Sequence, residues 1–186
     1  LKNLLDGDDM SDYTLIKNAL CVATMDDNDR QIANGDVLVK DNRIAGIGSN
    51  LKPPDGAVAT IIDASNMVVL PGFINTHHHL YQTLTRNLPR VQDAKLFDWL
   101  VELYEVWRGL DPQAVHVSAQ VGIAELLLTG CTTTTDHFYV FPKGQPEDLL
   151  DRTIEAAADL GIRFHPTRGA MSRGRSNGGL PPDDVV

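Results

Sequence analysis

The stretch that most constrains this chain is Val68-Val69-Leu70-Pro71-Gly72-Phe73-Ile74-Asn75-Thr76-His77-His78-His79. An apolar, β-branched run reads as a buried strand, and here it ends in three consecutive histidines, half of the six in the chain. Such a segment delivers imidazoles to one place. Side chains of an extended segment alternate between faces, so His77 and His79 are expected on one face and His78 on the other. Two neutral imidazoles on one face can share a divalent cation, for which zinc is the usual occupant and iron an alternative. A run of histidines can also be a tag remnant or a solvated loop. An internal position behind an apolar strand containing Pro-Gly argues against both.

Beyond the histidines, strands and helices alternate. Residues 95–110 carry Leu96, Leu100, Leu103 and Trp107 at the spacing of an amphipathic helix. Asp111-Pro112 supplies an N-cap and a first-turn proline for a helix over 113–129, with Gly130 as its stop. Cys131–Phe138 reads as a second strand, 146–160 as a helix stopped by Gly161, and 162–168 as a third strand. Strand, helix, strand, helix, strand at this spacing predicts parallel βα units, hence the α/β class. With histidines at the C-terminal end of the first strand, the pattern predicts the front part of a (β/α)8 TIM-barrel type fold, whose sites lie at that end. About 120 residues follow position 67, where eight units typically take about 250. The chain is therefore expected to be the front of a longer polypeptide.

Ahead of this region the periodicity is that of β-structure. Residues 13–24, 36–40, 43–48 and 59–63 read as strands, with Asp41-Asn42 as a two-residue hairpin turn because both tolerate positive φ. The expected organisation is a small β-sheet domain over 1–66, including an acidic leader at 1–12, followed by βα units over 67–186.

Composition narrows the partners. A formal net charge of −9 argues against nucleic acid or an anionic membrane surface. No apolar run approaches the roughly 20 residues of a spanning helix, and no secretory leader opens the chain. Cys21 and Cys131 stand alone, without a CxxC or a disulfide framework. These features point to a cytoplasmic protein.

PGFINTHHH resembles the PGFxDxHxH signature that closes the first barrel strand in the amidohydrolase superfamily, with Asn75 where many members have Asp. HHHLYQTLTR resembles the nucleobase-deaminase branch, and together with TGCTTTTDHFYVFP and RSNGGLPP it is similar to 8-oxoguanine deaminases over most of residues 60–182. The resemblance implies a zinc-dependent aminohydrolase of cyclic amidines, in which a metal-activated hydroxide attacks the amino-bearing ring carbon and ammonia leaves. His77 and His79 are then metal ligands. Gln82 and Arg168 face the substrate, an oxo-purine nucleobase such as 8-oxoguanine. Independently of the resemblance, His137 near the end of the second strand reads as a wall of the site. The family's further ligands and acid/base groups come from later strands, beyond residue 186. An s-triazine (hydroxyatrazine-like) or pyrimidine aminohydrolase is the alternative substrate reading, and a non-catalytic metal-binding or assembly protein the alternative of another class. A homo-oligomer is open through the aromatic helix 95–110.

Overall fold

A computed structural model describes residues 12–186. All of the acidic opening segment except Asp12 lies outside the described residues. The chain divides into two compact units, one up to Pro71 and one over Gly72–Val186.

The first unit is a single sheet of five strands: β1 (Tyr13–Ala23), β2 (Gln31–Lys40), β3 (Arg43–Gly48), β4 (Ala59–Asp63) and β5 (Val68–Val69). The order is β3-β2-β1-β4, with β5 also against β1; β1–β2 and β2–β3 are antiparallel, whereas β4 and β5 run parallel to β1. Asp41 adopts a φ of 52°, so the β2–β3 hairpin turns where its residue types allow it. Ala19, Val22, Val37 and Ala64 form the buried core. The register of β1 shifts between Ile16 and Ala19, where Asn18 takes a φ of 63° and its backbone N–H donates to Asp36 Oδ1 at 2.8 Å. Leu51 N–H donates to Asp36 Oδ2, also at 2.8 Å. This buried carboxylate thus has a donor for each oxygen, which makes its burial tolerable.

The apolar run at 68–74 is not one strand. Val68–Val69 pairs with Cys21 and Val22 of β1, whereas Phe73–Asn75 forms β6 of the second unit. Pro71 has no N–H for a ladder, and a Cβ on Gly72 would collide with the Thr132 side chain, so only glycine permits the close passage beside that residue.

In the second unit β6, β7 (Cys131–Phe138) and β8 (Arg163–Arg168) form a parallel sheet in that order. The helices are α1 (Leu96–Trp107), α2 (Pro112–Leu128) and α3 (Leu149–Leu160). Asp111 caps α2 by accepting from Ala114 N–H at 2.7 Å, and Gly130 and Gly161 end α2 and α3 at φ values of 85° and 75°. α3 begins three residues later than Pro146 suggests, because Asp148 makes no side-chain cap bond and the segment before it stays irregular.

Tyr81, Leu103, Tyr104, Trp107, Val115, Phe138 and Leu149 make one buried cluster. Tyr104 and Trp107 are about fully enclosed, at 1% and 0% exposure, so these two aromatics of helix 95–110 serve the core rather than an interface. Burying each such ring contributes on the order of 2–3 kcal/mol. Trp107 also ties α1 to the turn after the histidines, its Nε1–H donating to Thr85 Oγ1 at 3.2 Å.

That turn, the short 3-10 segment Leu80–Thr85, packs against α2 at Gly122. A Cβ there would stand 2.8 Å from both Leu80 Cδ2 and Thr83 Oγ1. Gly122→Ala gains about 1 kcal/mol of helix propensity but meets an overpacking cost of about 1–3 kcal/mol, so a net loss of up to ~2 kcal/mol is expected. The urea midpoint should fall; a midpoint above wild type would show that the turn yields freely.

Candidate metal and active site

β6 ends at Asn75, whose Nδ2–H donates to Thr134 Oγ1 at 3.1 Å and whose Oδ1 accepts from His77 N–H at 3.4 Å. The chain then leaves the sheet while remaining fastened to the end of β7. His137 N–H donates to His78 O at 2.9 Å, His79 Nδ1 meets His137 O at 2.8 Å, and Leu80 N–H donates to Asp136 Oδ1 at 2.7 Å. A carbonyl can only accept. His79 therefore carries its proton on Nδ1 and presents Nε2 as a lone pair, the arrangement in which imidazole binds a metal. Burial is the main cause that lowers the His79 pKa, which favours the same neutral form.

The His77 and His79 rings meet edge to face with centroids 5.1 Å apart. The His78 ring turns toward α2, its Cε1 3.6 Å from where a Gly122 Cβ would stand, and burial lowers its pKa. His137 is held in turn by Thr167. The Thr167 hydroxyl donates to Asp136 O at 2.9 Å, so its oxygen accepts from His137 Nδ1–H at 2.9 Å. His77, His79, His137, Thr135 and Thr167 line a cavity of about 350 Å³.

Among the described residues, no group of three or more His, Cys, Asp or Glu side chains stands together as a metal site. The pair His77 and His79 offers two of the three protein ligands that a catalytic zinc normally takes. Donor type fits that use, as do the tautomer and neutral form of His79.

Gln82 lies beside this pair, lining with His77 and His79 a second hollow of about 200 Å³. Its Nε2–H₂ donates to Tyr81 Oη at 3.1 Å and to Tyr139 Oη at 3.2 Å, which orients the amide. Arg86 is occupied by Glu125 through bonds of 2.6 and 2.8 Å. Arg168 is not brought to the histidines: its guanidinium sits 4.2 Å over the Phe141 ring and lines a separate cavity of about 160 Å³ with Tyr139, Met171 and Ser172. The strand carrying Arg168 ends there, and the aromatic face holds the cation on that side. His165, mid-strand opposite Thr135, and His116, whose Nε2 lies 3.5 Å from Asp159, stand outside the cavity.

Asp136, Thr167, Tyr81 and Tyr139 are site residues that the sequence reading passes over. Asp136 had a signal, as the one charged residue in the β-branched strand 131–138. Tyr139 had none, inside an apolar run.

The model of the amidohydrolase family matches residues 68–183. The chain belongs to the amidohydrolase family. This amidohydrolase chain is 44% identical over 173 residues to an 8-oxoguanine deaminase of Pseudomonas aeruginosa, covering 93% of the chain and 38% of that protein. It is 36% identical over 172 residues to an isoxanthopterin deaminase from an unknown prokaryotic organism, covering 90% of the chain and 35% of that protein. The structure matches an atrazine chlorohydrolase of Arthrobacter aurescens TC1 complexed with zinc, with a TM-score of 0.84 and 34% identity over 93% of the chain and 39% of that protein. The amidohydrolase chain thus spans roughly two fifths of the length of these relatives.

Asp136 has an unusual carboxyl. It is 1% exposed, Oδ1 has the Leu80 donor and Oδ2 has no partner, and burial raises its pKa to about 6. Between an unfolded value near 3.8 and about 6, the folded chain holds a proton that the unfolded chain has released. Stability from this group is therefore present near pH 4 and lost as the pH rises through about 6. The stability difference between wild type and Asp136→Asn should grow in favour of wild type from pH 7 to pH 4, by on the order of 2–3 kcal/mol. A difference that stays flat in urea titrations across that range would mean that Oδ2 is solvated.

Proposed function

We propose that this chain is the front part of a (β/α)8-barrel, metal-dependent hydrolytic deaminase of a nucleobase, with an oxo-purine of the 8-oxoguanine kind as substrate. The observation that carries this reading is the His77/His79 pair at the end of β6, with Nδ1 of His79 fixed by the His137 carbonyl. The 44% identity to an 8-oxoguanine deaminase supports the substrate class. The likeness to a chlorohydrolase complexed with zinc supports zinc, and imidazole donors suit iron as well. That same likeness favours an s-triazine as the second substrate reading. No described helix is long and apolar enough to cross a membrane. Free Cys21 and Cys131 suit a cytoplasmic setting.

In this reading His77 and His79 hold the metal, which supplies a Lewis acid that makes water nucleophilic near neutral pH. The residues of the chain bind and orient the ring. Gln82 has its two N–H donors engaged by tyrosine hydroxyls, which leaves Oε1 to accept from an N–H of the substrate's lactam edge. The His137 carbonyl fixes the His79 ring by its Nδ1, leaving Nε2 for the metal, and Thr167 orients the His137 ring at the wall of the cavity, so that neither imidazole needs to reorganise when a substrate ring enters.

The full-length protein should contain about one zinc or iron per chain by elemental mass spectrometry and release ammonia from 8-oxoguanine. His79→Ala should lose the metal and at least a thousandfold of turnover, since the first coordination sphere is broken. Retention of stoichiometric metal and activity by that variant would remove the pair from the site. Gln82→Ala should keep its metal while KM for 8-oxoguanine rises about tenfold, the loss of one hydrogen bond to substrate. Unchanged kinetics would take Gln82 out of the pocket, and ammonia release from a hydroxytriazine alone would select the second reading.

A further inference from the structure

A second cavity, of about 250 Å³, adjoins the imidazole cavity and shares His137 with it. Leu100 and Tyr104 of α1, Tyr139, and Ala170 and Met171 beyond β8 complete its lining. Tyr104 is 1% exposed, yet its Oη has no hydrogen-bond partner among the described residues. A buried hydroxyl left unpaired costs about 1–3 kcal/mol, so it calls for a partner that enters from the cavity. Burial raises the phenol's pKa, keeping it a neutral donor at any ordinary pH. Tyr139 is different, because its hydroxyl already accepts from Gln82. Leu100, Ala170 and Met171 present carbon and sulfur, and the other polar groups of the lining are the His137 ring and the Tyr139 hydroxyl. Among the described residues no Asp, Glu, Lys or Arg lines this cavity; Arg168 lies in another cavity that shares Tyr139.

We infer that this cavity is the recognition subsite for the edge of the substrate ring remote from the reacting carbon, with the Tyr104 hydroxyl donating to an acceptor atom there. The ligand portion that fits is flat, uncharged and mostly apolar, with one carbonyl oxygen or ring nitrogen directed at Tyr104. Leu100 and Met171 pack on its faces, and the absence of a cation from the lining disfavours substrates with a phosphate or carboxylate on that edge. Tyr104 is thereby a specificity-determining residue, a role that rests on the deaminase reading.

The test is Tyr104→Phe in the full-length, zinc-loaded protein, which removes only the hydroxyl. KM for 8-oxoguanine should rise about 5–10-fold with kcat within twofold. The dissociation constant of urate, the deamination product, should rise by the same factor. Zinc content should be unchanged and the thermal midpoint equal to or above wild type, because an unpaired buried group has been removed. Unaltered KM and urate affinity would overturn the subsite, as would a fall in stability without any change in binding. The deaminase reading fails separately if wild type releases no ammonia from 8-oxoguanine or a hydroxytriazine. Urate and cyanurate binding then decides: weaker binding to the variant sustains the subsite, and equal or absent binding overturns it.

Discussion

The fastening of the histidine segment to the end of β7 is the constraint on which the site depends. β6 has only three residues, too few to hold a loop by itself, and the pairing is continued past its end by His137 N–H to His78 O and Leu80 N–H to Asp136 Oδ1. The third bond, His79 Nδ1 to His137 O, uses the same fastening to choose a tautomer. Each bond contributes about 1 kcal/mol net, but breaking the one to Asp136 would take away the donor on Oδ1 of a buried carboxyl. Fold and chemistry share these atoms, so a change in one is felt in the other.

Beneath the fastening lies an aromatic platform. Tyr81 stacks edge-on against Trp107 and Phe138 at 5.2 and 5.1 Å, and its hydroxyl receives the Gln82 amide. Gln82, which faces the hollow, is thus supported by side chains whose rotamers the core fixes. A hollow held this way keeps its geometry, because the ordering cost has been met in folding.

Two buried aspartates show how burial separates scaffold from site. Asp36 receives a backbone N–H on each oxygen and closes the bulge of the first sheet. Asp136 receives one, and its second oxygen remains unpaired. Such unsatisfied groups concentrate where a protein keeps capacity for chemistry or a ligand. Tyr104 belongs to the same class, at the neighbouring cavity.

Sequence by itself determined the α/β alternation, the parallel order of units, the caps at Asp111, Gly130 and Gly161, and the convergence of His77 and His79. Each of these follows from periodicity or from a single residue's backbone preference, which act locally. The tertiary structure decided what local rules do not reach. It split residues 68–75 between two sheets, since Pro71 interrupts the ladder and Gly72 must pass Thr132. It drew Asp136, Thr167 and the His137 carbonyl around the imidazoles from strands dozens of residues away. It also set Arg168 on Phe141 in a separate cavity, although the family resemblance implied that it faces the substrate. Which way a strand-end side chain turns depends on the aromatic and polar neighbours that packing supplies, and these come from other segments of the same unit.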